Sequence, residues 1–138
     1  MTDDSARLVI DASGVIALLT DRGETGAWVA ERVRDRQLVA PHVMPFEAAD
    51  ILRRLAMAGV VDNTNASLAH ADLAALAVEL VPWSMLAGRA WDLRRNLTVY
   101  DATYVALAES LDVPLLTLDQ RIARAPGIRC DVQVPTHA

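Results

Sequence analysis

The sequence predicts an α/β fold in which a central, mostly parallel sheet of four or five short strands is flanked by helices. Short apolar runs alternate with segments of helical patterning along the whole chain, which is the order typical of parallel sheets. The chain has 138 residues, and we find no repeat, low-complexity tract or linker within it. We therefore expect residues 1–138 to form one domain with one hydrophobic core.

The predicted strands are short apolar runs bounded by charged residues or proline. They cover residues 7–10, 37–40, 78–81 and 114–118, with a weaker fifth strand at 128–132. The predicted helices follow the spacing of the apolar residues. They cover residues 13–19, 24–35, 43–58, 65–77, 84–95, 101–111 and 119–124.

Four acidic residues stand where a protein of this class rarely places a charge. Asp11 directly follows the first strand and Asp119 directly follows the fourth. Both should lie at the edge of the sheet where parallel strands have their carboxyl ends and where ligands bind. Glu47 falls inside the apolar stripe of helix 43–58, and Asp101 opens a helix that is apolar around most of its circumference. The pattern predicts several carboxylates at one edge of the sheet.

Helix capping is the alternative explanation for three of these acids. Aspartate is a favoured N-cap residue, and Asp11, Asp101 and Asp119 all stand at or near a predicted helix start. Capping would account for each of them taken singly, but not for Glu47, which lies inside its helix. Four carboxylates at one edge would repel one another unless a cation lay between them. The joint pattern therefore favours a hard divalent ion, Mg²⁺ or Mn²⁺, held by oxygen ligands.

The composition limits both the chemistry and the setting of the protein. The net charge is −5, all 13 basic residues are arginines, and the chain has no lysine. Receiver domains and haloacid dehalogenase-like phosphatases, which also place acids at a parallel-sheet edge, depend on a lysine and are thereby excluded. Cys130 is the only cysteine, and the acidic start of the chain is unlike a secretory signal. A cytoplasmic location is therefore expected.

Several segments, taken in order, resemble the successive signatures of PIN-domain ribonucleases. They are VIDASGVIALL (9–19), APHVMPFEAADILRRL (40–55), LTVYDATYVALAESLDVPLLTLD (97–119) and the arginine that follows. The likeness is greatest to the VapC-type toxins of bacterial toxin–antitoxin pairs, and it covers nearly the whole chain. It implies a PIN-domain-like three-layer fold, in agreement with the alternation of strands and helices.

The resemblance also implies which residues form the site. The family's acidic quartet, catalytic and metal-binding, falls on Asp11, Glu47, Asp101 and Asp119. Hydroxyl residues of the family fall on Ser13 and Thr117, which would orient the carboxylates by hydrogen bonds. Ser13 could equally be an ordinary first-turn residue, and strand packing explains Thr117 nearly as well. Asp50 stands where many relatives have asparagine, which adds a negative charge one turn from Glu47.

The function implied by the resemblance is Mg²⁺-dependent hydrolysis of RNA phosphodiester bonds, with Mn²⁺ as a substitute. We expect Asp11 and Asp101 to coordinate the ion directly, and Glu47 and Asp119 to act through water. The implied partners are a VapB-like antitoxin, the RNA substrate and a second copy of the chain. A catalytically silent PIN-like module that binds RNA or a partner is the alternative. The arginines that could contact phosphates around the acids are Arg53, Arg54, Arg94, Arg95, Arg121 and Arg124.

Overall fold

A computed structural model describes residues 6–136 and contains one five-stranded sheet. The strands are β1 (Arg7–Ile10), β2 (Gln37–Pro41), β3 (Val78–Val81), β4 (Leu115–Leu116) and β5 (Val132–Gln133). They are arranged in the order β3-β2-β1-β4-β5, and every neighbouring pair is parallel. The predicted α/β class is therefore confirmed. Most of the acidic start of the chain lies outside the described residues.

Helices occupy the segments between the strands. They are α1 (Ala12–Thr20), α2 (Glu24–Val33), α3 (Met44–Met57), α4 (Asn63–Ala75), α5 (Ala87–Asp92), α6 (Val99–Leu111) and α7 (Gln120–Ala123), with a short 3-10 helix at Trp83–Met85. Within residues 6–136, no helix is both long enough and apolar enough to cross a membrane.

Strand β1 lies at the centre of the sheet and of the hydrophobic core. Its residues Leu8, Val9 and Ile10 are at most 1% exposed. Successive side chains of a strand point to opposite faces, so both faces of the sheet must be covered. β1 pairs with β2 on one side and with β4 on the other. The carboxyl end of β1 therefore lies between β2 and β4.

Helix α6 is the most deeply buried helix of the described part. Residues 102–108 are all buried, and the helix packs against β1, β2 and β4, while α5 packs against α6 in turn. A helix that is apolar all round is stable only in such a position. The helix begins after Thr98, whose hydroxyl accepts a hydrogen bond from the Asp101 backbone N–H at 3.1 Å. Asp101 therefore lies in the first turn and does not cap the helix.

Several predicted elements differ from the structure in their bounds, and the strand predicted at 114–118 is reduced to Leu115–Leu116. The helix predicted at 84–95 is divided into the 3-10 helix and α5, because Leu86 donates its N–H to the carbonyl of Trp83 in a tighter i to i+3 bond. The strand predicted at 128–132 overlaps β5 only at Val132. β5 is limited to two residues because its partner β4 offers only Leu115–Leu116 for pairing.

A glycine allows helix α1 to lie unusually close to the sheet. A Cβ atom added at Gly14 would lie 2.7 Å from Cδ2 of Leu116 and 2.9 Å from Cγ1 of Ile10. Both neighbours are fully buried and have little room to move. Glycine at this position therefore sets the distance between the first turn of α1 and strands β1 and β4.

We predict that Gly14→Ala lowers the free energy of unfolding by about 1–3 kcal/mol, because the added methyl group overpacks the junction of α1 with the sheet. Gly88→Ala is the matched control: Gly88 is an exposed residue of helix α5, and a Cβ there would have no neighbour within 4 Å. It should raise the free energy of unfolding by up to about 1 kcal/mol. Urea denaturation measures both, and equal stabilities of the two variants would contradict the role assigned to Gly14.

Candidate active site

The four acids predicted from the sequence line one cleft of about 520 Å³ at the carboxyl ends of β1 and β4. They come from four separate segments: Asp11 from the end of β1, Glu47 and Asp101 from the first turns of α3 and α6, and Asp119 from the start of α7. The remaining lining residues are Ala12, Ser13, Val43, Phe46, Asp50, Ile51, Arg54, Tyr100 and Tyr104. Folding thus brings all four predicted acids to one place.

Asp11 is the most buried of the four acids, with 7% of its surface exposed. Its Oδ1 atom accepts hydrogen bonds from the Ser13 hydroxyl at 2.6 Å and from the Gly14 backbone N–H at 3.0 Å. Its Oδ2 atom accepts a hydrogen bond from the Thr117 hydroxyl. Burial raises the pKa of Asp11, the charge of Asp101 raises it further, and these three hydrogen bonds oppose the shift. Asp11 caps α1, as the alternative explanation held, but it also faces the cleft.

The two predicted hydroxyl residues connect Asp11 to the segment that follows β4. The Ser13 hydroxyl accepts a hydrogen bond from the backbone N–H of Leu118 at 3.1 Å. The Thr117 hydroxyl accepts one from the backbone N–H of Asp119 at 3.0 Å. Each hydroxyl therefore donates to Asp11 and accepts from the segment 118–119. The structure places both hydroxyls where they orient the Asp11 carboxylate and hold it next to Asp119.

Glu47 is held by a tyrosine from the buried helix α6. The Tyr104 hydroxyl donates a hydrogen bond to Oε1 of Glu47 at 2.6 Å, and Tyr104 is only 1% exposed. Burial raises the pKa of Glu47, the charges of Asp101 and Asp11 raise it further, and the bond from Tyr104 lowers it. Burial and the neighbouring carboxylates also raise the pKa of Tyr104, so its hydroxyl keeps the proton that it donates.

Asp101 is half-buried and lines the same cleft as the other acids. Burial raises its pKa, and the negative charge of Asp119 raises it further. A hydrogen bond with the Thr98 side chain and the positive charge of Arg121 lower the pKa of Asp101 in opposition. Asp101 also contributes to the raised pKa of Asp11 and of Glu47, so its carboxylate is electrostatically linked to each of the other three acids.

Asp119 differs from the other three because it has a cationic partner. Its Oδ2 atom lies 2.6 Å from the Nη2 atom of Arg121, and its Oδ1 atom accepts bonds from Nε and the backbone N–H of the same residue. These hydrogen bonds lower the pKa of Asp119. Arg121 is exposed, so in solution this ion pair is open to competition from other ions.

The donor atoms of the cleft fit a hard divalent cation. Carboxylate and hydroxyl oxygens are the ligands that Mg²⁺ and Mn²⁺ prefer. Three of the four carboxylates have raised pKa values, first because they are buried and then because of neighbouring negative charges, and a bound cation would offset both effects. Nevertheless, among residues 6–136 no three acidic, histidine or cysteine side chains are already spaced to coordinate one ion. Coordination would therefore require side chains such as Asp119, now paired with Arg121, to reorient.

The arginines predicted to contact phosphates have different surroundings. Arg53 and Arg54 pair with Asp50, with nitrogen to oxygen distances of 2.9 and 3.5 Å, and Arg54 also lines the cleft. Arg94 lies over the ring of Trp91 and does not line the cleft. The extra negative charge of Asp50 is thus balanced by its own helix, and its pKa is lowered by the hydrogen bond from Arg53.

Two functional contacts were not anticipated from the sequence. From the sequence, Tyr104 belongs to a helix that is apolar around most of its circumference, and Arg121 is a candidate phosphate contact with no assigned role toward Asp119. One signal was available for Tyr104, because it lies three residues after Asp101 and therefore on the same face of α6. No local signal identifies Glu47 as its partner, since the two residues are 57 positions apart.

Comparison with known proteins identifies the family of this chain. The family model of the PIN domain matches residues 8–128. Ribonuclease VapC1 of Mycobacterium tuberculosis is 37% identical over 127 residues, which cover 91% of this chain and 96% of that protein.

Solved structures share the same fold. PAE2754 from Pyrobaculum aerophilum has a TM-score of 0.66 at 24% identity and covers 93% of this chain and 83% of its own. VapC20 of Mycobacterium tuberculosis, a toxin that cleaves the sarcin–ricin loop, has a TM-score of 0.64 at 16% identity, with 88% and 96% covered. Fold, family model and sequence identity all agree, and the chain belongs to the PIN domain family.

Proposed function

We propose that this protein is a metal-dependent endoribonuclease of the VapC type, the toxin of a toxin–antitoxin pair. The observation that carries the proposal is the convergence of four carboxylates, from four separate segments, on one cleft at the carboxyl edge of the sheet. The family membership and the 37% identity to a VapC ribonuclease support the same reaction class. The catalytic and metal-binding residues proposed are Asp11, Glu47, Asp101 and Asp119.

Each acid has a task that follows from its surroundings. Ser13, Gly14 and Thr117 bind both carboxylate oxygens of Asp11 and hold it in one orientation, so it would serve as the pre-positioned ligand. Asp101 is half-buried and has no cationic side chain bonded to it among the described contacts, so it is available as a second ligand.

The other two acids are suited to handling water. Glu47 has one oxygen held by Tyr104, which leaves its second oxygen to orient or deprotonate a water molecule. Asp119 would complete the site when Arg121 releases it, and the freed guanidinium would then be close enough to neutralise a phosphate oxygen. A bound Mg²⁺ or Mn²⁺ would supply Lewis-acid polarisation of the phosphoryl group and lower the pKa of a bound water.

The proposal extends to the partners and the setting. A VapB-like antitoxin would bind the toxin, RNA would be the substrate, the whole chain 1–138 would act as one domain, and the protein would work in the cytoplasm as a homodimer. Apolar surface supports the partner assignments, because Met57, Val60 and Leu68, on α3, the following turn and α4, each expose more than half of their surface.

The first prediction concerns the reaction itself. Purified protein should release fragments from RNA with Mg²⁺ or Mn²⁺, and EDTA should stop the reaction. Asp101→Asn should lower the rate by about a hundredfold or more, because it removes a charged ligand of the ion. Asp72→Asn, an exposed residue that does not line the cleft, is the control and should cleave normally. A wild-type protein that binds RNA without ever cutting it would identify the catalytically silent module instead.

The second prediction concerns stability without metal. Because the pKa of Asp101 is raised in the folded protein, the folded state keeps a proton that the unfolded chain releases as pH rises, so the free energy of unfolding falls through that pH window. Asp101→Asn should remove this pH-dependent decrease in the free energy of unfolding, because asparagine does not titrate. At pH 7 it should be more stable than wild type by on the order of 1 kcal/mol or less, since the group is half-exposed.

Urea denaturation in EDTA at several pH values measures this effect. The stability difference between Asp101→Asn and wild type should shrink toward about pH 3, where Asp101 of the wild type is protonated in both the folded and the unfolded protein. Asp72→Asn, at an exposed position outside the cleft, is measured in parallel as the control. A difference between Asp101→Asn and wild type that stays constant with pH would mean that carboxylate repulsion is not its cause.

The third prediction concerns Tyr104. Tyr104→Phe keeps the packing of α6 but removes the hydrogen bond to Glu47, so the carboxylate is no longer held in one orientation. We expect kcat to fall about tenfold. The lost hydrogen bond also lowered the pKa of Glu47, so the acidic limb of the pH–rate profile should move to higher pH. A purely structural role would change stability and leave the position of that limb unaltered.

The fourth prediction concerns assembly. Light scattering at micromolar concentration should give twice the mass of one chain, because pairing is the commonest way to cover exposed apolar surface. Val60→Glu should shift the protein toward the monomer if the patch of Met57, Val60 and Leu68 forms the interface. A monomeric wild type would instead assign this patch to the antitoxin alone.

A further inference from the structure

We propose that Phe46 and Tyr100 form an aromatic rim that stacks unpaired nucleobases next to the scissile phosphate. This inference rests on the proposed ribonuclease function and deepens it by assigning base-binding residues to the same cleft. Both side chains line the cleft that contains the four acids.

The exposure of these two side chains requires an explanation. Phe46 is the only phenylalanine of the chain, and 76% of its surface is exposed. Tyr100 is 60% exposed, whereas the other tyrosine, Tyr104, is fully buried. Aromatic side chains contribute most to stability when they are buried, so leaving them in solvent brings the fold no benefit. Large exposed apolar side chains beside a polar cleft are typical of binding sites.

The positions of the two rings relative to the acids are closely similar. Phe46 directly precedes Glu47 in the first turn of α3, and Tyr100 directly precedes Asp101 in the first turn of α6. Neighbouring residues of a helix point about 100° apart, so an acid directed into the cleft leaves its aromatic neighbour at the border of the cleft. Two different helices therefore each supply one acid and one ring.

A nucleotide matches this arrangement of charge and apolar surface. Its phosphate would lie at the carboxylates with their cation, and its base is joined to that phosphate through a single sugar. Stacking of a base on an aromatic ring contributes about 1–3 kcal/mol and tolerates any base, because every base has an apolar face. Bases inside a duplex are already stacked on each other, so the rim would select single-stranded or looped RNA.

A protein segment is the competing occupant, since an apolar anchor could also cover the rings. The acids beside the rings favour RNA, because the rings line the same cleft as the carboxylates at which a phosphate would react. Arg54 in the same lining adds a cation for the RNA backbone.

Base stacking can be measured without cleavage. The probe is a pool of randomised single-stranded RNAs, each carrying one 2-aminopurine, whose fluorescence is quenched when the base stacks. Ca²⁺ replaces Mg²⁺, so that the carboxylates keep a cation while turnover is slowed. Wild type should quench the probe, while Phe46→Leu and Tyr100→Leu should each weaken binding about tenfold. Trp91→Leu is the matched control, because Trp91 is 58% exposed and lies outside the cleft.

Cleavage kinetics provide the second readout. With Mg²⁺, Phe46→Leu should lower kcat/KM about tenfold through KM, and Phe46→Trp should restore it to within about twofold, since a ring is retained. Equal quenching and equal kcat/KM for Phe46→Leu and wild type would overturn the inference, as would a Phe46→Trp variant that is as impaired as Phe46→Leu. If Phe46→Leu loses only the capture of a purified inhibitor protein, the rim is a protein-docking site and the inference is also overturned.

The two proposals fail in different ways. Absence of cleavage by wild type would refute the ribonuclease function, while ring-dependent quenching of the same protein would still support the aromatic rim. Normal cleavage with no dependence on either ring would refute the rim and leave the ribonuclease function intact.

Discussion

The structure of the cleft depends on one buried carboxylate. Asp11 ends the central strand β1, and both of its oxygens are bound by groups from α1 and from the segment after β4. A buried carboxylate is costly unless its oxygens are satisfied, so the hydroxyls of Ser13 and Thr117 are needed for the fold to tolerate it. Because the same hydroxyls accept bonds from the backbone of 118–119, satisfying Asp11 also positions Asp119. Stability and site geometry therefore share one set of hydrogen bonds.

Electrostatics divides the four acids of the site into two groups. Asp11, Glu47 and Asp101 have raised pKa values, chiefly because they are partly or wholly removed from water. Asp119 has a lowered pKa because Arg121 neutralises it. A cation entering the cleft would relieve the first three acids and would compete with Arg121 for the fourth. The proposed function thus uses an instability that the fold itself creates, as active sites commonly do.

The aromatic rim and the carboxylates are connected by the way α3 and α6 begin. Each helix starts at the edge of the cleft, so its first turn places one acid toward the centre and one ring toward the border. Helix α6 can present these residues reliably because the rest of it is buried against the sheet. The rigid core therefore sets the spacing between the place where a phosphate would react and the place where a base would stack.

The sequence by itself determined the parallel α/β class and the acids at its edge, because hydrophobic periodicity and the ends of strands are local properties. It also indicated Ser13 and Thr117 through a family resemblance. Only the tertiary structure decided that Tyr104 holds Glu47 and that Arg121 neutralises Asp119. It also shortened β5 and divided the helix predicted at 84–95. These features arise from contacts between elements that are distant in sequence. One such hydrogen bond, or one short partner strand, outweighs a local preference, so no local sequence pattern predicts them.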